Sequence, residues 1–517
     1  MAGKSRISRR KFVAAAAAIG AAPLLPEAIA DARAQQPKRG GRLRLGLGNG
    51  GPTDNLDPAL IIDAVQQNIS YQARNTLVEL LPTMEAGPEL AESWEASPDA
   101  KVWRFKLRQG VTFHNGKTMD AEDVVFSLNL HHGPNSKSGA KGLMSGVQDI
   151  KADGKNTVVV TLSGGNADFP LTLTDYHMVV VPADSKNVGD GMGTGPYVLD
   201  KYEPGVRAFA KRNANYFRND RGFFDEVETF NINDASARTN ALIAGQVDVI
   251  NRLELKVVSL LEQNKQIKVS NVSGFKYASM PMMTNTAPYN NLDVRLAMKH
   301  AIDRKEVLST VLRGYGFVGN DNPLSPSHRF FNKDLPQRAF DLDKAKFHIK
   351  KSGLEGTTFE IATADVGFDG AVDMAILFQQ TAGKAGINVK LNRVPVDGFW
   401  RSVWNKVPFC TSYWASRPSE DAAFSLGYAR GAGMNDTKWS PDRFQELLVA
   451  ARGELDNNKR RAMYYEMQQI LWDDGGQIVP VWVNHIAATS LKIAMPAKIS
   501  GSNEMDGHRC AERWWFA

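Results

Sequence analysis

The sequence predicts an α/β or mixed α+β protein of more than one domain. Short alternating stretches and amphipathic stretches follow one another along the whole chain. The 517 residues, 43% of them hydrophobic, suffice to bury more than one large core. After the N-terminus there is no internal repeat and no low-complexity linker.

The first element is a leader. Ser8-Arg9-Arg10-Lys11-Phe12-Val13 is a twin-arginine export motif, followed by the apolar run 12–25 and the small-residue site Ala32-Arg33-Ala34. The run is shorter than the roughly 20 residues a spanning helix needs, and Pro23, Pro26 and Glu27 interrupt its continuation. Residues 1–34 are therefore expected to be removed on export near Ala34, leaving a periplasmic protein that is not membrane-inserted. This leader holds six basic and two acidic residues, so the overall +6 falls to +2 beyond it. With no dense Lys/Arg cluster carrying interleaved aromatics, nucleic acid is not an expected partner.

The next segment opens with a short strand at 42–45 and then Gly46, Gly48 and Gly51 at dinucleotide-binding spacing. The loop Pro52-Thr53-Asp54-Asn55-Leu56-Asp57-Pro58 follows where a helix N-terminus would have to receive a pyrophosphate, so the glycines read as a turn. Residues 102–116 alternate apolar and polar on both sides of Gln109-Gly110, the pattern of a hairpin. Asp120 is placed to cap a helix from 121, 156–165 reads as a strand, and 191–205 is a glycine-rich loop leading into a strand. That loop lacks the Gly-Lys-Ser/Thr ending of a phosphate cradle.

Residues 293–314 read as one helix with Asp293 as N-cap, an apolar face of Val294, Ala297, Met298, Ala301 and Ile302, and Gly314 closing it. A helical hairpin is expected at 440–474, started by Ser440-Pro441, turned at Asn457-Asn458 and stopped by Gly475-Gly476. Strand returns at 477–485, and the final Glu512-Arg513-Trp514-Trp515-Phe516-Ala517 reads as a packed tail.

The chemistry-bearing residues are sparse in pattern. Nine histidines are scattered, and the adjacent pair His131-His132 points in directions about 100° apart on a helix, unlike an i, i+4 metal pair. There is no HExxH, no CxxC and no Gly-x-Ser-x-Gly, so no catalytic residue, metal ligand or cofactor site is nominated. Cys410 and Cys510 are a hundred residues apart, and a disulfide in an oxidising compartment and two buried thiols both remain open. A large exported chain with aromatic and polar loops and no catalytic set suits ligand capture in a concave site. An exported hydrolase, a haem or metal carrier and a chaperone-like peptide binder are the alternatives.

Three separated blocks, at 87–128, 193–205 and 287–307, resemble the extracytoplasmic solute-binding proteins of family 5, the peptide- and nickel-type receptors of ABC importers. The resemblance covers nearly all of the chain beyond the leader. It implies two lobes around a hinge: 35–75, 190–284 and 481–517 in the first, 76–189 as its extra subdomain, and 285–480 in the second. It also implies a monomer that is not an enzyme, encloses a peptide-like or small-molecule ligand by hinge closure and delivers it to a permease whose partner subunits hydrolyse ATP.

On this resemblance the stretch from Tyr413 to Gly431 acquires a role. Peptide-binding members carry a Trp, then after two residues an Asp that grips the ligand's amino group, then a second acid before Pro, and a Phe ten after the Trp. The ungapped match places Trp414, Glu420, Asp421 and Phe424 on the Trp, second acid, Pro and Phe, and sets Arg417 where the amino-gripping Asp would stand. A guanidinium binds carboxylate or phosphate, not ammonium. Arg417 is accordingly expected either to anchor an anionic ligand, with Trp414 and Tyr413 packing on its apolar part, or to brace its loop by pairing with Glu420 or Asp421. Asn285 and Thr286, at the expected crossover between lobes, and Asn435 and Trp439, which flank the stretch with Trp400 and Trp404, complete the expected ligand-binding set. The segment 314–326 is expected either to lie over the cleft or to be a plain turn.

Overall fold

The computed structural model describes residues 37–517 except Gly367, Asp369 and Ser416. The leader read at residues 1–34 lies outside them. Among the described residues no helix is long and apolar enough to cross a membrane.

A mixed ten-stranded sheet organises the molecule. Its order is Ser412–Ala415, Ile267–Pro281, Val481–Ser490, Val249–Ile250, Arg42–Leu47, Glu226–Asn231, Arg207–Arg212 and Tyr197–Glu203, with Gly316–Val318 and Gln477–Ile478 pairing at its side. Arg42–Leu47 runs parallel to both neighbours and the remaining pairs are antiparallel. The 15-residue strand Ile267–Pro281 is long enough to pair at one end with Val481–Ser490 and at the other with Ser412–Ala415 and Gln477–Ile478, bending at a bulge between Val272 and Lys276.

A separate antiparallel sheet has the order Ala91–Ala96, Val102–Leu107, Thr157–Leu162, Val147–Ala152. In Val102–Leu107 the alternation is literal: Trp103, Phe105 and Leu107 are buried while Arg104 and Lys106 face out. The expected hairpin does not form. Val102–Leu107 pairs with the strands on either side, and the chain beyond Gly110 makes its own small loop, with Thr112 bridged to Thr118. The strand was legible, but its partner is chosen by the sheet's core, which takes the apolar faces of Ala91–Ala96 and Thr157–Leu162. Helix Ala121–Asn129 starts where expected, with Asp120 and Asp123 forming a reciprocal capping box.

The stretch 293–314 is two helices, Leu292–His300 and Arg304–Thr310, not one. The N-cap of the first is Asn291, whose side chain accepts from Asp293 N. Asp303 then accepts from the amides of Lys305 and Glu306, a cap that restarts the helix and turns the chain after Ile302. The later hairpin is Asp442–Gly453 and Asn457–Asp474. Its turn falls at 454–456, because Asp456 caps the second helix and Asn457 already belongs to it. A parallel pair, Thr358–Thr363 and Asn388–Arg393, is bridged by helix Ala371–Lys384. Cys410 and Cys510 are free, buried thiols, and burial pushes that of Cys510 up to about 12. The tail packs as expected: Trp514 is fully buried and Trp515–Phe516 pairs with Ile493–Ala494.

One buried charge has a measurable consequence. Arg304 and Arg338 share Asp321 at 2.7 and 2.8 Å, and Lys299 is fully buried beside them. Burial pulls the Lys299 ammonium down to about 7, with Asp321 opposing and the neighbouring arginines adding to the fall. Between about 7 and the unfolded value of 10.5 the unfolded chain holds a proton that the native chain lacks, so stability rises with pH across that window. The rise is at most about 1.4 kcal/mol per pH unit. Denaturant midpoints at neutral pH and two units above should show it, and Lys299→Met should flatten it; an unchanged slope in that variant would refute the assignment.

Candidate functional site

A cavity of about 1130 Å³ is lined by segments far apart in the chain, among them Asn49 and Ile62 to Tyr71, Gly139 to His177, Arg252 to Lys276, Tyr413 to Leu426 and Val483 to Arg513. That volume suits a small organic ligand.

The strand Ser412–Ala415 settles which aromatic reaches it. Side chains alternate across a strand, and Tyr413 and Ala415 are on the cavity wall. Tyr413 sits between Lys276, whose ammonium is 4.7 Å from the ring centroid, and the Trp400 ring at 5.5 Å. Trp414 faces the other way, into a core with Tyr277, Val479 and Trp482. Its indole N–H donates to Asp436 Oδ2 at 3.0 Å, as does that of Trp404. Burial pushes the Asp436 carboxyl up to about 6, against the pull of these two indoles. Trp414→Phe should therefore cost about 1–2 kcal/mol of stability, measured by denaturant unfolding, and leave ligand affinity unchanged. Tyr413→Ala should do the opposite, and a reversed pattern would refute the assignment of faces.

Beyond the strand the chain turns through Arg417 to helix Glu420–Tyr428, capped by Ser419. Arg417 is on the cavity wall and part-buried. Its guanidinium donates to the Ala415 carbonyl at 2.8 Å, and its own carbonyl is held by His328 Nε2 at 2.9 Å. Neither nearby acid pairs with it. Glu420 is fully buried and accepts from Arg329 at 3.0 Å and from Phe330 N at 2.9 Å. Asp421, at the wall, accepts from Arg452 at 2.9 Å and from Ser425 at 3.2 Å. The brace expected between Arg417 and these acids is absent because each has met an arginine from a distant segment.

The other expected residues stand off the wall. Asn285 is exposed and accepts from the Thr286 hydroxyl at 3.1 Å. Asn435 is buried and donates to the Trp439 carbonyl at 2.9 Å, while Trp439 donates to Asp474 at 2.7 Å from a helical core. Their polar groups are spent on local turns and packing. The segment 314–326 also stands off the wall. It contributes the strand Gly316–Val318 and buries Asp321, which accepts from Val479 N at 3.0 Å.

Sequence reasoning missed the residue that ties the wall together. Asp168, 3% exposed, accepts from Arg329, Ser419 and Arg460, each at 2.7 Å, and so joins the segment 166–177 to the Arg417 loop. The arginines hold its carboxyl far below the usual carboxylate range, outweighing its burial. Nothing local marks it, since every partner lies at least 161 residues away. The polar run 500–509 was also passed over, although its density of Ser, Asn, acid and His was a visible signal.

Most charged groups of the wall, which include Lys276 as a cation besides Arg417, are partnered within the protein. Asp168 is paired as above, Asp175 accepts from His177, Glu254 pairs with Lys256, Asp421 with Arg452, Glu504 with Arg252 and Asp506 with Arg513. Arg509 pairs with Glu89 and Glu512. Arg417 makes no ion pair among the described residues. Its charge is felt by Tyr176, whose phenol burial pushes up to about 12 while Arg417 opposes the rise. Among the described residues no group of three or more His, Cys, Asp or Glu is placed to hold a metal ion.

A mixed α/β scaffold with a large cavity, its wall more apolar than polar and bearing a few charged groups that include Arg417, has the form of a protein that binds a small solute. Residues 85–436 match the bacterial extracellular solute-binding proteins, family 5 middle, and the chain belongs to that family. It is 26% identical over 478 residues to the dipeptide-binding protein of Escherichia coli strain K12, covering 83% of this chain and 87% of that one. It is also 26% identical over 481 residues to heme-binding protein A of Haemophilus influenzae, covering 82% and 84%. Among solved structures, HbpA2 from Haemophilus parasuis superposes with a TM-score of 0.81 at 24% identity, over 90% of this chain and 99% of that chain, a likeness of fold.

Proposed function

We propose that this chain is the exported capture component of an ABC importer. It takes a peptide-like or small carboxylated solute into the cavity and hands it to a membrane permease whose ATPase partners drive uptake. Export by the twin-arginine route with cleavage near Ala34, action as a monomer and closure of the lobe 285–480 on the remainder belong to the same reading, which calls for no cofactor and no catalytic residue.

Arg417 carries the choice of ligand. It is a cation on the cavity wall with no carboxylate partner among the described residues, and its fork of N–H donors suits a carboxylate held by two parallel bonds. Tyr413 supplies an apolar face beside it. Asp421, the acid nearest in the chain on that wall, is held by Arg452 and so is not free to grip an ammonium. The ligand is therefore a carboxylate that does not depend on a free α-amino group, which favours N-acylated peptides, amino-acid conjugates and small polycarboxylates over ordinary dipeptides.

A thermal-shift screen of the purified protein tests this, because a ligand that binds the native state raises the melting temperature with its concentration. The panel comprises di- and tripeptides, their N-acetyl forms, small polycarboxylates, amino-acid conjugates and nickel chelates. Shifts are expected with the carboxylates whether or not the amine is blocked. Shifts confined to free-amino peptides, or to the nickel chelates, would overturn the assignment.

A further inference from the structure

We infer that His328 is a positioning residue for the carboxylate anchor: its imidazole tethers the backbone of Arg417 and so fixes where the guanidinium stands on the cavity wall. This rests on the reading of Arg417 as the group that receives the solute and adds what holds it in place.

Arg417 lies in the short connection between strand Ser412–Ala415 and helix Glu420–Tyr428. Among the described residues neither Arg417 nor Pro418 shares a hydrogen bond with another backbone group, so secondary structure does not place this turn. Side chains from distant segments do. The Arg417 carbonyl meets His328 Nε2 at 2.9 Å, and the Ser419 hydroxyl donates to Asp168 at 2.7 Å. The guanidinium is turned back onto the Ala415 carbonyl at 2.8 Å, so Arg417 is held through its backbone and its side chain alike.

The direction of the His328 bond is fixed by the other ring nitrogen. Nδ1 receives the Ser325 N–H at 2.9 Å, and a ring nitrogen that accepts carries no proton. The proton of the neutral ring is therefore on Nε2, which donates to Arg417. Burial keeps the ring neutral: His328 is 4% exposed, and its pKa is pulled below the ordinary imidazole range against the attraction of Glu420. The donor in turn stands on a segment fixed from elsewhere. Asp321 accepts from Arg304 at 2.7 Å and from Val479 N at 3.0 Å, and the ring of Phe275, itself on the cavity wall, lies 4.6 Å from the imidazole. A cation held in place before the solute arrives loses little freedom on binding, which raises affinity.

Two substitutions separate tethering of Arg417 from mere support of the turn 325–328. His328→Gln keeps a donor near the Nε2 position, whereas His328→Asn keeps an acceptor near Nδ1 and is too short to reach Arg417. Titration calorimetry of the purified protein with N-acetyl-alanyl-alanine as the probe compares them. His328→Asn is expected to weaken binding about fivefold and His328→Gln to stay within about twofold of the parent. In an Arg417→Gln background His328→Asn should have no further effect, because a residue that acts through Arg417 has nothing left to position. Parental affinity in the Asn protein, the opposite order of the two variants, or a loss that persists without Arg417 would overturn the tether. If instead Arg417→Gln binds as its parent does, or the parent does not bind the probe, the carboxylate reading falls and takes this inference with it. Should the Asn protein not fold, nuclear magnetic resonance of the parent decides: the His328 Nε2–H signal, identified by its loss in His328→Gln, should move on saturation with the probe. A stationary signal would overturn the tether.

Discussion

The Arg417→Asp protein is expected to fold as its parent does and to lose affinity for carboxylated ligands by a hundredfold or more. A charge-assisted hydrogen bond contributes about 1.5–3 kcal/mol, and two parallel bonds to one carboxylate lie at or above the roughly 2.7 kcal/mol that a hundredfold requires. The substituted carboxylate would also repel the ligand's own. The fold should tolerate the change because the guanidinium donates to the Ala415 carbonyl two residues away and makes no ion pair among the described residues. Calorimetry with the best hit of the thermal-shift screen, beside a denaturant titration of both proteins, reads the two quantities separately. Unchanged affinity with an unchanged midpoint would sink the anchor, and a collapsed midpoint would mean that Arg417 is structural after all.

Asp168→Ala should be the most destabilising single change at this site, by about 3–5 kcal/mol. It removes the acceptor shared by Arg329, Arg460 and the Ser419 hydroxyl, and the side chain of Arg460 is only 2% exposed. Arg329 keeps Glu420 at 3.0 Å, whereas Arg460 has no other carboxylate among the described residues and would be left as a buried, uncompensated charge. Ligand affinity should fall as well, since Ser419 stands two residues after Arg417 and its bond to Asp168 positions that loop. Urea unfolding of the purified variant gives the first quantity. A loss below about 1 kcal/mol would mean that the network relaxes and that Asp168 is a surface pair in all but burial.

Much of the scaffold was legible because its signals are local. Period-two alternation marked Val102–Leu107, and Asp120 marked the start of Ala121–Asn129. The blocks at 87–128, 193–205 and 287–307 pointed to the family that the comparison bears out. Where two local signals compete, the outcome was less visible: Ala301 and Ile302 continue an apolar stripe, yet Asp303 caps a new helix. Of the expected ligand-binding residues, Tyr413, Arg417 and Asp421 are on the cavity wall, while Trp414, Glu420, Asn285, Thr286, Asn435 and Trp439 are not.

Sequence by itself determined the family, the strands begun at 42, 102 and 157, the start of Ala121–Asn129 and the helical pair Asp442–Gly453 and Asn457–Asp474, whose signals are written within a few residues of where they act, although Gly46, read as opening a turn, still belongs to the strand Arg42–Leu47. Only the tertiary structure decided which strand Val102–Leu107 would pair with, that Tyr413 and not Trp414 faces the cavity, and that Glu420 and Asp421 would be taken by Arg329 and Arg452, 91 and 31 residues away. The reason is one of range. Caps and periodicities act over three or four residues, whereas a buried charge binds whichever opposite charge the packing brings within about 3 Å, and that choice leaves no mark in the neighbouring sequence.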